Sequence, residues 1–190
     1  NNQITIVRGP AGSGKSWLCM SYLFSLLEKG KIDKIIIFCN TVAVKNAAKL
    51  GFYPGDKNEK LLDSQVGNFL SSKLGSRIMV EKMIQEEKLV LVPVADARGY
   101  DTTGMNAGVY IQEAQNLDRE LMKLLLQRLG EDTICLIDGD DTAQVDLDAY
   151  AGMNNGIKRA VEVFKGQDFF GTVQLQKVRR SRIAEVADGL

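Results

Sequence analysis

Short apolar runs alternate along the chain with longer amphipathic stretches. The runs at 4–7, 34–39, 89–94, 109–111, 133–137 and 172–176 are too short for buried helices, and Gly, Pro or charged residues bound each one. They read as strands. Helices are expected between them at 15–29, 43–50, 57–74, 76–87, 118–129 and 155–164. The first stops before Gly30, as helices commonly do. The stretch Leu50-Gly51-Phe52-Tyr53-Pro54-Gly55-Asp56 reads as a turn. Strands alternating with helices signal βαβ units and a mainly parallel sheet flanked by helices. No linker, low-complexity tract or repeat interrupts the pattern, so one α/β domain over residues 1–190 is the expectation.

Composition narrows the chemistry. The chain is 45% hydrophobic and 25% charged, ordinary values for a folded globular protein. No apolar run approaches the ~20 residues that span a membrane. Residues 1–7 read as the start of a strand rather than as a basic leader with a cleavage site. A cytoplasmic location is therefore expected. Lys plus Arg and Asp plus Glu balance at 24 each, so binding to nucleic acid would need a local patch or a ring of subunits. Cys19, Cys39 and Cys135 sit in apolar stretches without metal-ligand spacing and read as core thiols. Histidine is absent, which removes Ser-His-Asp catalysis and His-ligated metals.

One motif carries strong chemistry. The pattern G-x-x-x-x-G-K-[ST] occurs once, as Gly9-Pro10-Ala11-Gly12-Ser13-Gly14-Lys15-Ser16, between an apolar strand and a helix. Gly12 and Gly14 let the backbone curl until its N–H groups converge as an anion-binding nest. The helix beginning there adds its N-terminal partial positive charge. Lys15 is placed to reach the β- and γ-phosphates, and the Ser16 hydroxyl to ligate Mg²⁺. Residues 9–17, ending at Trp17, are the expected phosphate site, with ATP and Mg²⁺ as its ligands.

Acids in the second half bear on turnover. After the run at 109–111 come Gln112 and Glu113. In phosphate-loop ATPases an acid ending such a strand holds Mg²⁺, usually through water, and a neighbouring Glu orients the attacking water. Glu113 suits the second task; the alternative is a solvated acid at a helix N-terminus, which the position at a strand end outweighs. Gln112 stands where the metal-associated Asp is expected, and an amide supplies no charge. The next strand runs into Asp138-Gly139-Asp140-Asp141-Thr142-Ala143-Gln144. Gln144 is a candidate γ-phosphate sensor, and Asp140 or Asp141 a candidate metal support; an acidic turn is an equal alternative. Close to the C-terminus, Lys177-Val178-Arg179-Arg180-Ser181-Arg182 offers guanidinium groups for an arginine finger, although basic stretches of this kind are more often solvated or face nucleic acid.

Taken together these residues resemble the PhoH-like family of P-loop ATPases, relatives of the superfamily 1 helicases. The turn at 50–56, followed by Glu59-Lys60, is similar to the family's L-G-F-x-P-G-D-x-x-E-K. Ala97-Arg98-Gly99, Glu113-Ala114-Gln115-Asn116 and the Gly-Asp-Asp-Thr-Ala-Gln-Val-Asp-Leu stretch match further family motifs in order. The departures are Gln112 for Asp, Thr41-Val42 for Arg-Pro, and Tyr100-Asp101 for Arg-Thr. The resemblance implies a RecA-like fold, ATP hydrolysis, assembly into a ring such as a hexamer, and a role linked to RNA or phosphate stress, with single-stranded RNA or DNA as candidate partners. It also implies that Arg180 is the finger, serving its own or a neighbouring site.

The expected catalytic set is thus Lys15, Glu113, Gln144 and Arg180, with Ser16 and Asp140 toward the metal. Two further readings stand beside ATP hydrolysis. One is a nucleotide-gated binding module whose turnover is negligible because of Gln112. The other is a small-molecule kinase, for which no lid or acceptor pocket is visible.

Overall fold

The computed structural model describes residues 2–39, 68, 70–72, 75–140 and 154–178. Among the described residues six strands form one sheet: β1 (Ile4–Arg8), β2 (Lys34–Cys39), β3 (Leu89–Pro93), β4 (Ala107–Ile111), β5 (Ile134–Gly139) and β6 (Phe170–Gln174). Their spatial order is β3-β2-β4-β5-β1-β6, and every pairing between them is parallel. Among the described residues, α1 (Lys15–Glu28), α2 (Arg77–Gln85), α3 (Arg119–Leu126) and α4 (Gly156–Phe164) accompany them, and residues 68 and 70–72 are helical as well. A sheet of this kind with a phosphate loop after its first strand is the RecA-like architecture expected from the sequence.

Strand pleating assigns the helices to faces. Ile35, Ile37 and Cys39 of β2, Tyr110 of β4 and Leu136 of β5 pack with Cys19, Met20 and Leu23 of α1 and Val80 of α2. The alternate residues, Ile36, Phe38, Val109, Ile111, Cys135 and Ile137, face Met122 and Leu125 of α3 and Ile157 and Ala160 of α4. Period-two alternation within strands buried on both faces explains why they read as unbroken apolar runs. At about 25 cal/mol per Å² of apolar surface removed from water, these two layers supply the main driving force for folding.

Element ends follow local rules. Asp118 caps α3 by accepting the Leu121 N–H at 2.8 Å, and Asn155 caps α4 through Lys158 N–H at 3.1 Å. Ser76 is the N-cap of α2 rather than its first helical residue, accepting the Met79 N–H at 3.2 Å. The last strand begins at Phe170, two residues before the expected run, because parallel pairing with β1 aligns Phe170 with Ile4. As an edge strand it is half exposed, so its apolar signal is weak. A 3-10 segment, Val94–Gly99, follows β3 where strand was expected at residue 94. The helix expected at 43–50, most of that at 57–74 and the turn at 50–56 lie outside the described residues. Among the described residues no helix is long and apolar enough to cross a membrane.

Candidate phosphate and metal site

The loop between β1 and α1 has the curled backbone its glycines predict. Gly12 and Gly14 adopt φ of 75° and 94°, the left-handed region that favours glycine. Gly9 is fixed by a close approach as well: a Cβ there would lie 2.6 Å from the Leu175 carbonyl just beyond β6. Lys15 is buried, and its Nζ donates to the carbonyls of Gly9 at 2.7 Å and Pro10 at 2.9 Å. The ammonium is therefore held within the loop at the N-terminus of α1. Ser13 is also buried, and its Oγ has no hydrogen-bond partner among the described residues. A lone hydroxyl beside an ammonium and a helix N-terminus fits a phosphate oxygen. Trp17, the next residue after Ser16, is 59% exposed.

Ser16 connects this loop to the strand ends. Its hydroxyl donates to Asp138 Oδ2 at 2.6 Å. Asp138 is fully buried near the C-terminal end of β5, on the sheet face that packs α1. Tyr110 donates its hydroxyl to the same Oδ2 at 2.8 Å, and the Glu113 N–H donates to Oδ1 at 2.8 Å. Burial pushes the Asp138 carboxyl above its ordinary value; the Ser16, Tyr110 and Glu113 donors and the Lys15 charge pull the other way. Burial, reinforced by Asp138, pushes the Tyr110 phenol well above its ordinary value, which keeps it a donor.

Glu113 is exposed at the end of β4 and takes a left-handed conformation, φ 52° and ψ 43°, uncommon for a residue with a Cβ. Its backbone points at Asp138 while its carboxylate accepts from Gln115 Nε2 at 2.5 Å. Gln115 is buried, and its Oε1 accepts the Asp140 N–H at 3.3 Å. Asn155 in turn donates to the Gln115 carbonyl at 3.3 Å. The chain of contacts holds Glu113 from behind and ties it to the end of β5. Asp140 is buried at that same strand end.

Of the residues singled out in the sequence, Ser16 follows Lys15 and contacts Asp138, the Glu113 N–H reaches the same carboxyl, and Asp140 is linked to Glu113 through Gln115. Gln144 and Arg180 lie outside the described residues, as does Asp141. Three participants were not foreseen: Asp138, Tyr110 and Gln115. The signal for Asp138 was an acid closing the run Ile134-Cys135-Leu136-Ile137, too apolar to admit a charge without purpose. For Mg²⁺, the donor set fits: a hydroxyl and a carboxylate are hard oxygen donors beside a phosphate cradle. Among the described residues no group of three or more His, Cys, Asp or Glu could hold a metal alone.

A family model described as PhoH-like protein matches residues 1–188. The chain belongs to the PhoH-like family. Among curated PhoH-like relatives, the PhoH-like protein of Bacillus subtilis (strain 168) is 32% identical, covering 98% of this chain and 58% of the relative. Protein PhoH of Escherichia coli (strain K12) is 34% identical, covering 93% of this chain and 49% of its own length. The chain spans about half the length of the PhoH-like relatives it matches. A solved structure of Bacteroides Pif1 bound to ssDNA overlaps it with a TM-score of 0.38 at 15% identity, covering 95% of this chain and 40% of that one. PhoH-like membership and the phosphate loop together indicate nucleotide binding.

Proposed function

We propose that this PhoH-like chain binds ATP with Mg²⁺ and hydrolyses it, coupling turnover to single-stranded RNA or DNA or to a partner. The observation carrying this reading is the Ser16–Asp138 contact of 2.6 Å, which joins the phosphate loop to the strand end bearing Glu113. In this mechanism the nest of N–H groups and Lys15 cradle the phosphates, Lys15 exchanging its loop carbonyls for phosphate oxygens. Ser16 would hold Mg²⁺, which would supply positive charge against the phosphates. Glu113, fixed by Gln115, orients water for attack on the γ-phosphorus and accepts its proton. Gln144 as phosphate sensor and Arg180 as finger complete the set, the latter within its own subunit or across a ring.

The experiment is phosphate release from ATP and Mg²⁺ by wild type, Lys15→Ala and Glu113→Gln, with and without single-stranded RNA and DNA. Wild type turns over, and Glu113→Gln lowers kcat about 100-fold or more while retaining ATP. Stimulation by one nucleic acid identifies the coupled partner. Wild-type release no faster than that of Lys15→Ala overturns the hydrolytic reading in favour of a nucleotide-gated binding module. Gln112 motivated that second reading, and the buried carboxylate of Asp138 beside Ser16 weakens its premise.

A further inference from the structure

We propose that Asp138 is the carboxylate that secures the Mg²⁺-bearing Ser16 and the water shell of the ion, from β5, in place of an acid at position 112 on β4. The proposal rests on the ATP–Mg²⁺ reading above and assigns one of its tasks. Three observations carry it. First, Asp138 makes the contact itself, 2.6 Å from the Ser16 hydroxyl. Second, β4 and β5 pair in parallel as far as Ile111 opposite Ile137, and extending that register by one residue past the end of β4 sets position 112 level with Asp138. Pleat parity gives Gln112 the face of Tyr110 and Asp138 the face of Leu136, and both of those residues pack in the α1 layer. The two positions are therefore neighbours at one strand-end level on the side where Ser16 lies. Third, Asp138 is held in place by three donors, the Ser16 and Tyr110 hydroxyls and the Glu113 N–H.

Charge decides between the two positions. Gln112 offers a neutral amide oxygen, whereas Asp138 offers a carboxylate whose attraction for a divalent ion is strengthened by burial. Moving the acid one strand over preserves its level along the sheet and its access to Ser16. It also ties the ion's carboxylate to the Glu113 backbone, so the metal-side and water-side groups share one anchor.

The test compares ATP affinity of the full chain in excess Mg²⁺ and in EDTA, followed by calorimetry, with Mn²⁺ paramagnetic resonance reporting the ion directly. The variants are Asp138→Asn and Asp138→Asn combined with Gln112→Asp. Asparagine keeps the shape of Asp138, and the Ser16 and Tyr110 hydroxyls are able to reverse and accept from its amide. Asp138→Asn is expected to lose about tenfold or more of the Mg²⁺-dependent gain while affinity in EDTA stays within about threefold. Adding Gln112→Asp restores most of the gain and the bound-Mn²⁺ signal. Asp138→Asn that keeps the gain, or loses affinity equally in both arms as a merely structural residue would, overturns the proposal. So does failure of the second acid to rescue. Should Asp138→Asn not fold, Gln112→Asp alone decides: no rise in the Mg²⁺-dependent gain supports Asp138 as already serving the ion, and a tenfold rise overturns it. Wild type that takes up no ATP in either arm overturns the nucleotide reading itself, an outcome distinct from the rest.

Discussion

The two halves of the candidate site are built in opposite ways. The phosphate loop is contiguous: eight successive residues, Gly9 to Ser16, contain the glycines, the ammonium and the hydroxyl, and one turn of chain assembles them. The acidic half is assembled by the sheet. Glu113 and Asp138 are 25 residues apart and meet only because β4 and β5 pair in parallel register. A contiguous site tolerates small shifts of its neighbours, whereas a site spread over strand ends depends on the register and packing behind them. Side chains that never touch a nucleotide, such as Tyr110 and Gln115, accordingly matter more in the acidic half.

The largest expected effect breaks the loop side. Lys15→Ala removes the one ammonium inside the loop and should weaken ATP binding roughly 100-fold or more while leaving the unfolding midpoint close to wild type. A large loss of stability instead would show that the loop is as dependent on its packing as the strand ends. On the other side, Gly139→Ala places a methyl against Ile157 Cδ1, 2.9 Å from Gln115 Oε1 and 3.0 Å from the Gln115 backbone nitrogen. Overpacking of this kind costs about 1–3 kcal/mol, read from urea unfolding, and displacement of Gln115 should lower kcat through Glu113. Unchanged turnover would mean that the Gln115 brace is dispensable.

Smaller effects sharpen the contrast. Tyr110→Phe withdraws one of three donors from a buried carboxylate, and a loss of about 1 kcal/mol is expected in denaturant titrations. A stabilised variant would show that the hydroxyl is not satisfied by Asp138. Smallest of all, Cys19, Cys39 and Cys135 are free and buried. Burial pushes the Cys39 thiol up to about 12 and drives Cys19 and Cys135 further in the same direction. At pH 8 thiolate is scarce in all three, so a thiol reagent should label them slowly in the folded protein and fully in denaturant. Rapid labelling of Cys19 alone would show that α1 opens beside the loop.

Legibility in the sequence followed the same division. The loop, its flanking strand and α1 could be read because each depends on near neighbours, and β2 matched its expected bounds of 34–39 because a strand buried on both faces is uniformly apolar. The displaced start of β6 shows the reverse, since an edge strand with an exposed face leaves pairing, not composition, to set its limits. Asp138 went unassigned for a related reason. Its meaning depends on sitting one strand over from Gln112, and strand order is not visible in a linear chain. The left-handed Glu113 was equally hidden, because a residue with a Cβ rarely adopts that conformation and its N–H bond to Asp138 forms only across neighbouring strand ends.

Calorimetric titration of the folded chain with ATP and Mg²⁺ tests the central claim, capture of a polyphosphate by the loop at 9–16. Wild type is expected to show one saturable site, and Lys15→Ala of equal folded content no detectable heat. Wild type without binding heat for ATP, or Lys15→Ala binding as tightly as wild type, would contradict it.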